Sequence, residues 1–303
     1  MRNLALSTSI CLLALLGTVV PVDRRAHGAP AAQERERLVV LEFHSSDCAS
    51  CRSAGEAVEV LAEEYATAGK PAVFVEYNAA DYLGNRTDRW YDANADDPRD
   101  CGMPLLVVDS GWRWSCGWEE WEWVYSRFVN EALSNPPGAD VTASYTRTDD
   151  NLEVSFTVHN QSGVALGPDN SATANVIVYE RAKVLHTSRY ARSAEAMPLE
   201  EALADGGQAS YHMRLEDVPV SAWDEAVVLV LLDYRPDPSS SRYESLQAAL
   251  ADAPAPPSST ATVTASPTVT GTATPWDVPS QTATAPAPSP GTPTTAWQGA
   301  PLY

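Results

Sequence analysis

The sequence predicts an α/β domain over residues 38–135, an all-β sandwich over 139–235 and a disordered tail over 252–303. Three observations carry this. Up to residue 138, short apolar runs alternate with amphipathic stretches of helical period; from 139 the period changes to two; from 252 apolar periodicity disappears. A chain of 303 residues accommodates two modest domains plus flexible segments.

Residues 1–31 read as an export signal. Arg2 supplies a short positive region, Leu4 to Val20 is almost wholly apolar, and small residues follow at Ala26, Gly28, Ala29 and Ala31. An uncleaved anchor is the alternative, because about 17 apolar residues approach a bilayer-spanning length and Arg24 and Arg25 follow the run. Thr8, Ser9 and Ile10 before Cys11 lack the pattern of a lipid-attachment site.

Leu38, Val39, Val40, Leu41 and Phe43 predict a buried strand. Ala57, Val58, Leu61 and Tyr65 recur at helical spacing, with Glu56, Glu59, Glu63 and Glu64 on the other face. Pro71 to Tyr77 predicts a second strand and Leu105 to Val108 a third, which Asp109, Ser110 and Gly111 turn back into a fourth at Trp112 to Cys116. Trp121, Val124, Tyr125, Phe128, Ala132 and Leu133 mark a closing helix, ended by Asn135, Pro136, Pro137 and Gly138.

In the β region, Val141, Ala143 and Tyr145 alternate with polar partners, as do Leu152, Val154, Phe156 and Val158, around a turn at Asp149, Asp150 and Asn151. Further strands are expected at Ala174 to Tyr179, Val184 to Tyr190, Ser210 to Leu215 and Ala226 to Asp233, with a short helix near Leu199 to Ala204. This pattern predicts an immunoglobulin-like sandwich without a disulfide. His159, His186 and His212 share no ligand spacing and read as surface or core side chains. The tail is Ala, Pro, Ser and Thr with Asp252 and Asp277 as its charges, and it cannot bury enough surface to offset its ordering entropy.

Forty acidic against twenty basic residues give a formal charge of -20, which repels phosphate backbones and anionic membranes. Nucleic acid is therefore excluded as a partner, and membrane contact is expected only through an uncleaved N-terminal segment. Beyond the signal, Cys48, Cys51, Cys101 and Cys116 make an even set in a chain bound for an oxidising compartment.

Cys48-Ala49-Ser50-Cys51 follows the first strand at a helix start, and Met103-Pro104 precedes the turned-back strand. In that order these features resemble the thioredoxin superfamily. More narrowly, Glu42-Phe43, the stretch Tyr77 to Asp81, and Asn85, Thr87, Arg89, Trp90 and Tyr91 resemble exported bacterial thioredoxin-like proteins joined to immunoglobulin-like modules. The resemblance implies a thiol:disulfide oxidoreductase, secreted or at the cell surface, acting on protein thiols or disulfides with a possible redox partner protein. Cys48 would attack and Cys51 resolve, the helix dipole favouring a thiolate on Cys48. Glu42 matches the family's buried carboxylate and Pro104 its cis-proline. No cofactor is implied.

Asp47 stands where the family commonly has tryptophan, and its charge should oppose the thiolate. His44, if cationic, would favour it; the alternative is a solvated strand-end imidazole. A purely structural Cys48–Cys51 disulfide stays open. So does zinc held by Cys48, Cys51, Cys101 and His44, although the second pair lacks the close spacing of structural zinc and no metal is expected. Cys101 and Cys116 are expected to form a structural disulfide whose loop of about fourteen residues contributes roughly 3 kcal/mol. Trp112, Trp114, Trp118, Trp121 and Trp123 offer either a stacking platform or core packing, with Trp112 and Trp114 on one strand face. The other function class is a non-catalytic cell-surface interaction protein on a disulfide-stapled scaffold.

Overall fold

Eleven strands and three α-helices are found among the described residues, which are 36–79, 85–93, 101–117, 121–237 and 242–253 of a computed structural model. The expected signal and all but the first residues of the expected tail lie outside them, as does Trp118. By contact the chain divides into residues 1–256 and 257–303, the second unit lying wholly outside the described residues.

The first half runs β1 (Val39–Ser45), α1 (Ala49–Thr67), β2 (Ala72–Asn78), α2 (Asn85–Ala93), β3 (Leu105–Val108), β4 (Arg113–Cys116) and α3 (Trp121–Leu133). Strand β1 pairs in parallel with β2 and antiparallel with β3, which hairpins to β4 through a 3-10 turn at Asp109–Gly111. Alternation divides β1 between two faces. Val39, Leu41 and Phe43 meet Ala54, Val58, Leu61 and Tyr65 of α1 and Val124, Tyr125 and Phe128 of α3 in one core. Helix α1 ends where Gly69 takes a φ of 64°, a left-handed conformation that costs glycine little.

The second half runs β5 (Ala139–Thr148), β6 (Asn151–Asn160), β7 (Thr173–Glu180), β8 (Tyr190–Pro198), β9 (Gln208–Leu215), β10 (Ala226–Tyr234) and β11 (Glu244–Leu250). Strands β5, β6 and β9 form a three-stranded sheet. Its inner residues Val141, Leu152, Val154, Phe156 and Val158 pack on Val176, Val178, Val228 and Val230.

The expected fold class, an α/β domain followed by a separate immunoglobulin-like sandwich, is overturned by the larger sheet. Eight strands run continuously in the order β11-β10-β7-β8-β2-β1-β3-β4. The junction is β2 to β8, parallel at Glu76 and Tyr190. The physical reason lies in the second face of β1 and β2. Val40, Val73, Val75 and Tyr77 are apolar there, and they are covered by Ile177, Tyr179, Leu229, Leu231 and Ala248 of the β half. Strands β7 and β10 are thus buried on both faces, one toward β5 and β6 and the other toward β1 and β2.

Two local expectations also fail. Leu199 to Ala204 is not a helix; Leu203 makes an isolated bridge to Leu166, with N to O distances of 2.7 and 2.9 Å. Residues 184–189 are not a strand, because their backbone donors turn onto the side chains of Glu76 and Glu59 instead.

Candidate redox site

The segment leaving β1 places Cys48 as the N-cap of α1, in extended backbone (φ -123°, ψ 152°), with its sulfur accepting from Cys51 N at 2.9 Å. Cys48 Sγ and Cys51 Sγ are bonded to each other. Since neither sulfur of a disulfide carries hydrogen, Ser50 Oγ donates to Cys48 Sγ at 3.2 Å and Ser46 Oγ donates to Cys51 Sγ at 3.7 Å. Ser46 N adds a 3.5 Å contact to Cys51 Sγ. Cys48 is half-buried and Cys51 is 0 % exposed, one turn into the helix. Asp47 and Arg52 are both exposed.

Pro104 is buried and joined to Met103 through a cis peptide. It immediately precedes Leu105, which lies opposite His44 in the β1–β3 ladder, so it flanks the strand from which the cysteine loop departs. Cys101 is bonded to Cys116, apart from the first pair, in a cluster with Trp90, Leu105 and Val107. Tyr91 Oη closes this region by donating to Cys101 O at 2.9 Å.

Glu42 is buried on β1 and paired with Arg86. Both its carboxylate oxygens are held by Arg86 of α2, at 2.8 Å through Nε and by a second short bond through Nη2. Burial alone pushes this carboxyl up, but the charge and hydrogen bonds of Arg86 outweigh it and hold Glu42 below its ordinary range. Arg86 also reaches Asp233 and Ser110, and Arg89 clasps Asp233 with two 2.7 Å bonds. The result is a buried ionic layer between α2 and β10.

His44 is neither cationic nor solvated. It is 1 % exposed, stacked on Tyr77 with ring centroids 5.0 Å apart, and its Nδ1 lies 2.6 Å from Thr87 Oγ1. Burial lowers its pKa from 6.5 to about 4, with Glu42 opposing and Arg86 adding to the fall. A base whose folded pKa is depressed contributes stability that is full above 6.5 and is lost as pH falls toward 4. His44→Phe, which keeps an aromatic ring on Tyr77, is therefore expected to remove about 3 kcal/mol of pH-dependent stability across that window. Urea unfolding at both ends of the window checks this; an unchanged pH slope overturns it.

The tryptophans divide. Trp112 precedes β4, in helical backbone, so it does not share a strand face with Trp114 as alternation suggests. It packs with the α1–α3 core, whereas Trp114 meets Trp90 edge to face at 5.2 Å. Trp121 and Trp123 line a groove of about 560 Å³ with Ser53, Glu56, Ala57, Val60 and Glu122, between α1 and α3.

Sequence reasoning does not reach three polar residues around the site: Ser46, Arg86 and His186. Their pairing is long-range, and a lone serine or histidine in sequence carries no spacing signal. His186 is 7 % exposed, and its Nε2 lies 2.8 Å from Ser46 O.

No family model and no curated protein matches the chain. Among solved structures it is similar to HBP35 of Porphyromonas gingivalis, with a TM-score of 0.51 and 15% identity, over 77% of this chain and 81% of that one. A domain of the outer membrane lipoprotein Omp28 from Porphyromonas gingivalis overlaps 39% of this chain and 88% of its own, with 12% identity and a TM-score of 0.27, too low to carry an argument. At such identities the likeness to HBP35 is one of fold alone.

Proposed function

We propose that the chain is an extracytoplasmic thiol:disulfide oxidoreductase whose first half is thioredoxin-like and whose working pair is Cys48 and Cys51. The observation that carries this is the asymmetry of the pair at a helix N-terminus: Cys48 half-buried at the cap, Cys51 wholly buried behind it. A substrate thiolate attacks Cys48 Sγ, the 48–51 bond breaks, and its electron pair leaves on Cys51 Sγ. The substrate's second thiolate then attacks the substrate sulfur of the mixed disulfide and releases Cys48 as thiolate. The substrate dithiol is oxidised and the cysteine pair reduced, the protons of the two substrate thiols passing to the pair through solvent. The reverse sequence reduces a substrate disulfide. The helix N-terminus and the Cys51 N–H stabilise the thiolate that forms on Cys48. The two disulfides favour an oxidising compartment, and protein thiols or disulfides are the partner class.

A second reading, a non-catalytic interaction protein on the same scaffold, is favoured by Trp123 and Val60, which are 59% and 46% exposed along the α1–α3 groove. Two measurements separate them. Wild-type protein is expected to accelerate insulin reduction by dithiothreitol, and alkylation of the reduced 48/51 pair followed by peptide mapping is expected to label Cys48 first. No acceleration, with both cysteines inert, transfers the assignment to the scaffold.

A further inference from the structure

The resolving sulfur is served by a device that spans both halves of the chain. Exchange in either direction passes through a thiolate on Cys51, as leaving group or as nucleophile, inside a site where Cys51 is 0 % exposed. A buried thiolate needs donors. Glu42 cannot supply one, since its oxygens accept from Arg86 and it is held ionised. The donors at Cys51 Sγ belong to Ser46: its N–H at 3.5 Å and its hydroxyl at 3.7 Å.

Ser46 is in turn held from the β half. A carbonyl oxygen only accepts, so His186 carries its proton on Nε2 and donates to Ser46 O at 2.8 Å. The segment bearing His186 is anchored on a buried carboxylate of β2. Glu76, 1 % exposed, accepts from His186 N, Thr187 N at 2.8 Å, Thr187 Oγ1 at 3.0 Å and Ser45 Oγ at 2.8 Å. The same segment lies tight against α1. A Cβ built on Gly55 would stand 2.3 Å from the Cβ of His186, so only glycine lets the imidazole reach the loop.

We propose that Ser46 is a catalytic residue of the exchange, donating to the Cys51 thiolate, and that His186 is the positioning residue that aims it. The β half is then a working part of the redox site. This rests on the oxidoreductase reading, and its test separates the two. In a Cys48→Ser background with the 101–116 disulfide intact, Cys51 is the free thiol of residues 48–116, and the pH dependence of thiolate ultraviolet absorbance reports its pKa whether or not the protein catalyses anything. Adding Ser46→Ala is expected to raise that pKa by about one unit, as loss of a hydrogen bond to a charged group implies. Ser46→Thr, which keeps the hydroxyl, is expected to restore it. His186→Ala and Gly55→Ala are expected to move it in the same direction, and His186→Gln, which keeps a donor, to move it back. In the wild-type background Ser46→Ala is expected to slow insulin reduction about tenfold. A Cys51 pKa indifferent to Ser46→Ala overturns the catalytic role, and one indifferent to both His186→Ala and Gly55→Ala overturns the positioning role. Shifted pKa values in a protein that never accelerates insulin reduction would leave the contacts standing and remove the function.

Discussion

Cys48→Ser is expected to bring insulin reduction to the uncatalysed rate, while Cys51→Ser retains the first attack and accumulates a mixed disulfide with substrate. The two sulfurs differ in what surrounds them. Cys48 is half-buried at the α1 cap, where the Cys51 N–H and the Ser50 hydroxyl converge on its sulfur and the helix dipole favours negative charge. A serine oxygen there stays protonated at neutral pH and cannot form a disulfide. Cys51 is closed off from substrate, so its loss blocks only the second step, in which the mixed disulfide is released. Non-reducing electrophoresis after thiol blocking reads the trapped adduct. Equal insulin rates for wild type and Cys48→Ser would place any activity elsewhere in the chain.

Apart from α2, which the sequence reading did not mark, the strand and helix order of the first half was legible because each element buries a periodic apolar face. β1, α1, β2, the β3–β4 hairpin and α3 all lie where period and turn residues put them. The cap position of Cys48 was legible for the same reason. What periodicity does not encode is the partner of a second face. Val40, Val73, Val75 and Tyr77 announce burial but not against what. The strands β8 and β11 were missed for a related reason. Tyr190–Pro198 is rich in alanine and charge, and Glu244–Leu250 carries a helical mixture of Glu, Leu, Gln and Ala, so tertiary pairing overrides local preference in both. Glu42 shows the limit for site residues. Its position before Cys48 suggested a carboxylate serving the cysteines; the partner the structure gives it is Arg86, distant in sequence and unremarkable by itself.

Arg86→Met is expected to lower the free energy of unfolding by about 3–5 kcal/mol, the range for removing one member of a buried ion pair. Arg86 and Glu42 are 7 % and 1 % exposed, and the variant strands the Glu42 carboxylate with no cation against it. Asp233 suffers less, because Arg89 retains both of its bonds to it. The double variant Arg86→Met, Glu42→Leu is expected to recover most of the loss, since burying two apolar side chains leaves no orphaned charge. The pH dependence supplies an independent sign. In the wild type Glu42 has a folded pKa below its unfolded value of 4.5, so its contribution is full above 4.5 and is lost as pH falls through the folded pKa. Without Arg86 the leading influence on Glu42 is burial, which raises its pKa above 4.5, and the variant then gains stability on acidification by taking up a proton. The deficit of Arg86→Met relative to wild type is therefore expected to shrink as pH is lowered from about 7 toward 5. His44, whose pKa burial and then Arg86 lower, is depressed less in the variant, so it loses less stability on acidification and acts in the same direction. Urea unfolding of the wild type and both variants across that pH range gives the deficit directly. A deficit that grows with acidification would show that Glu42 is stabilised by something other than Arg86.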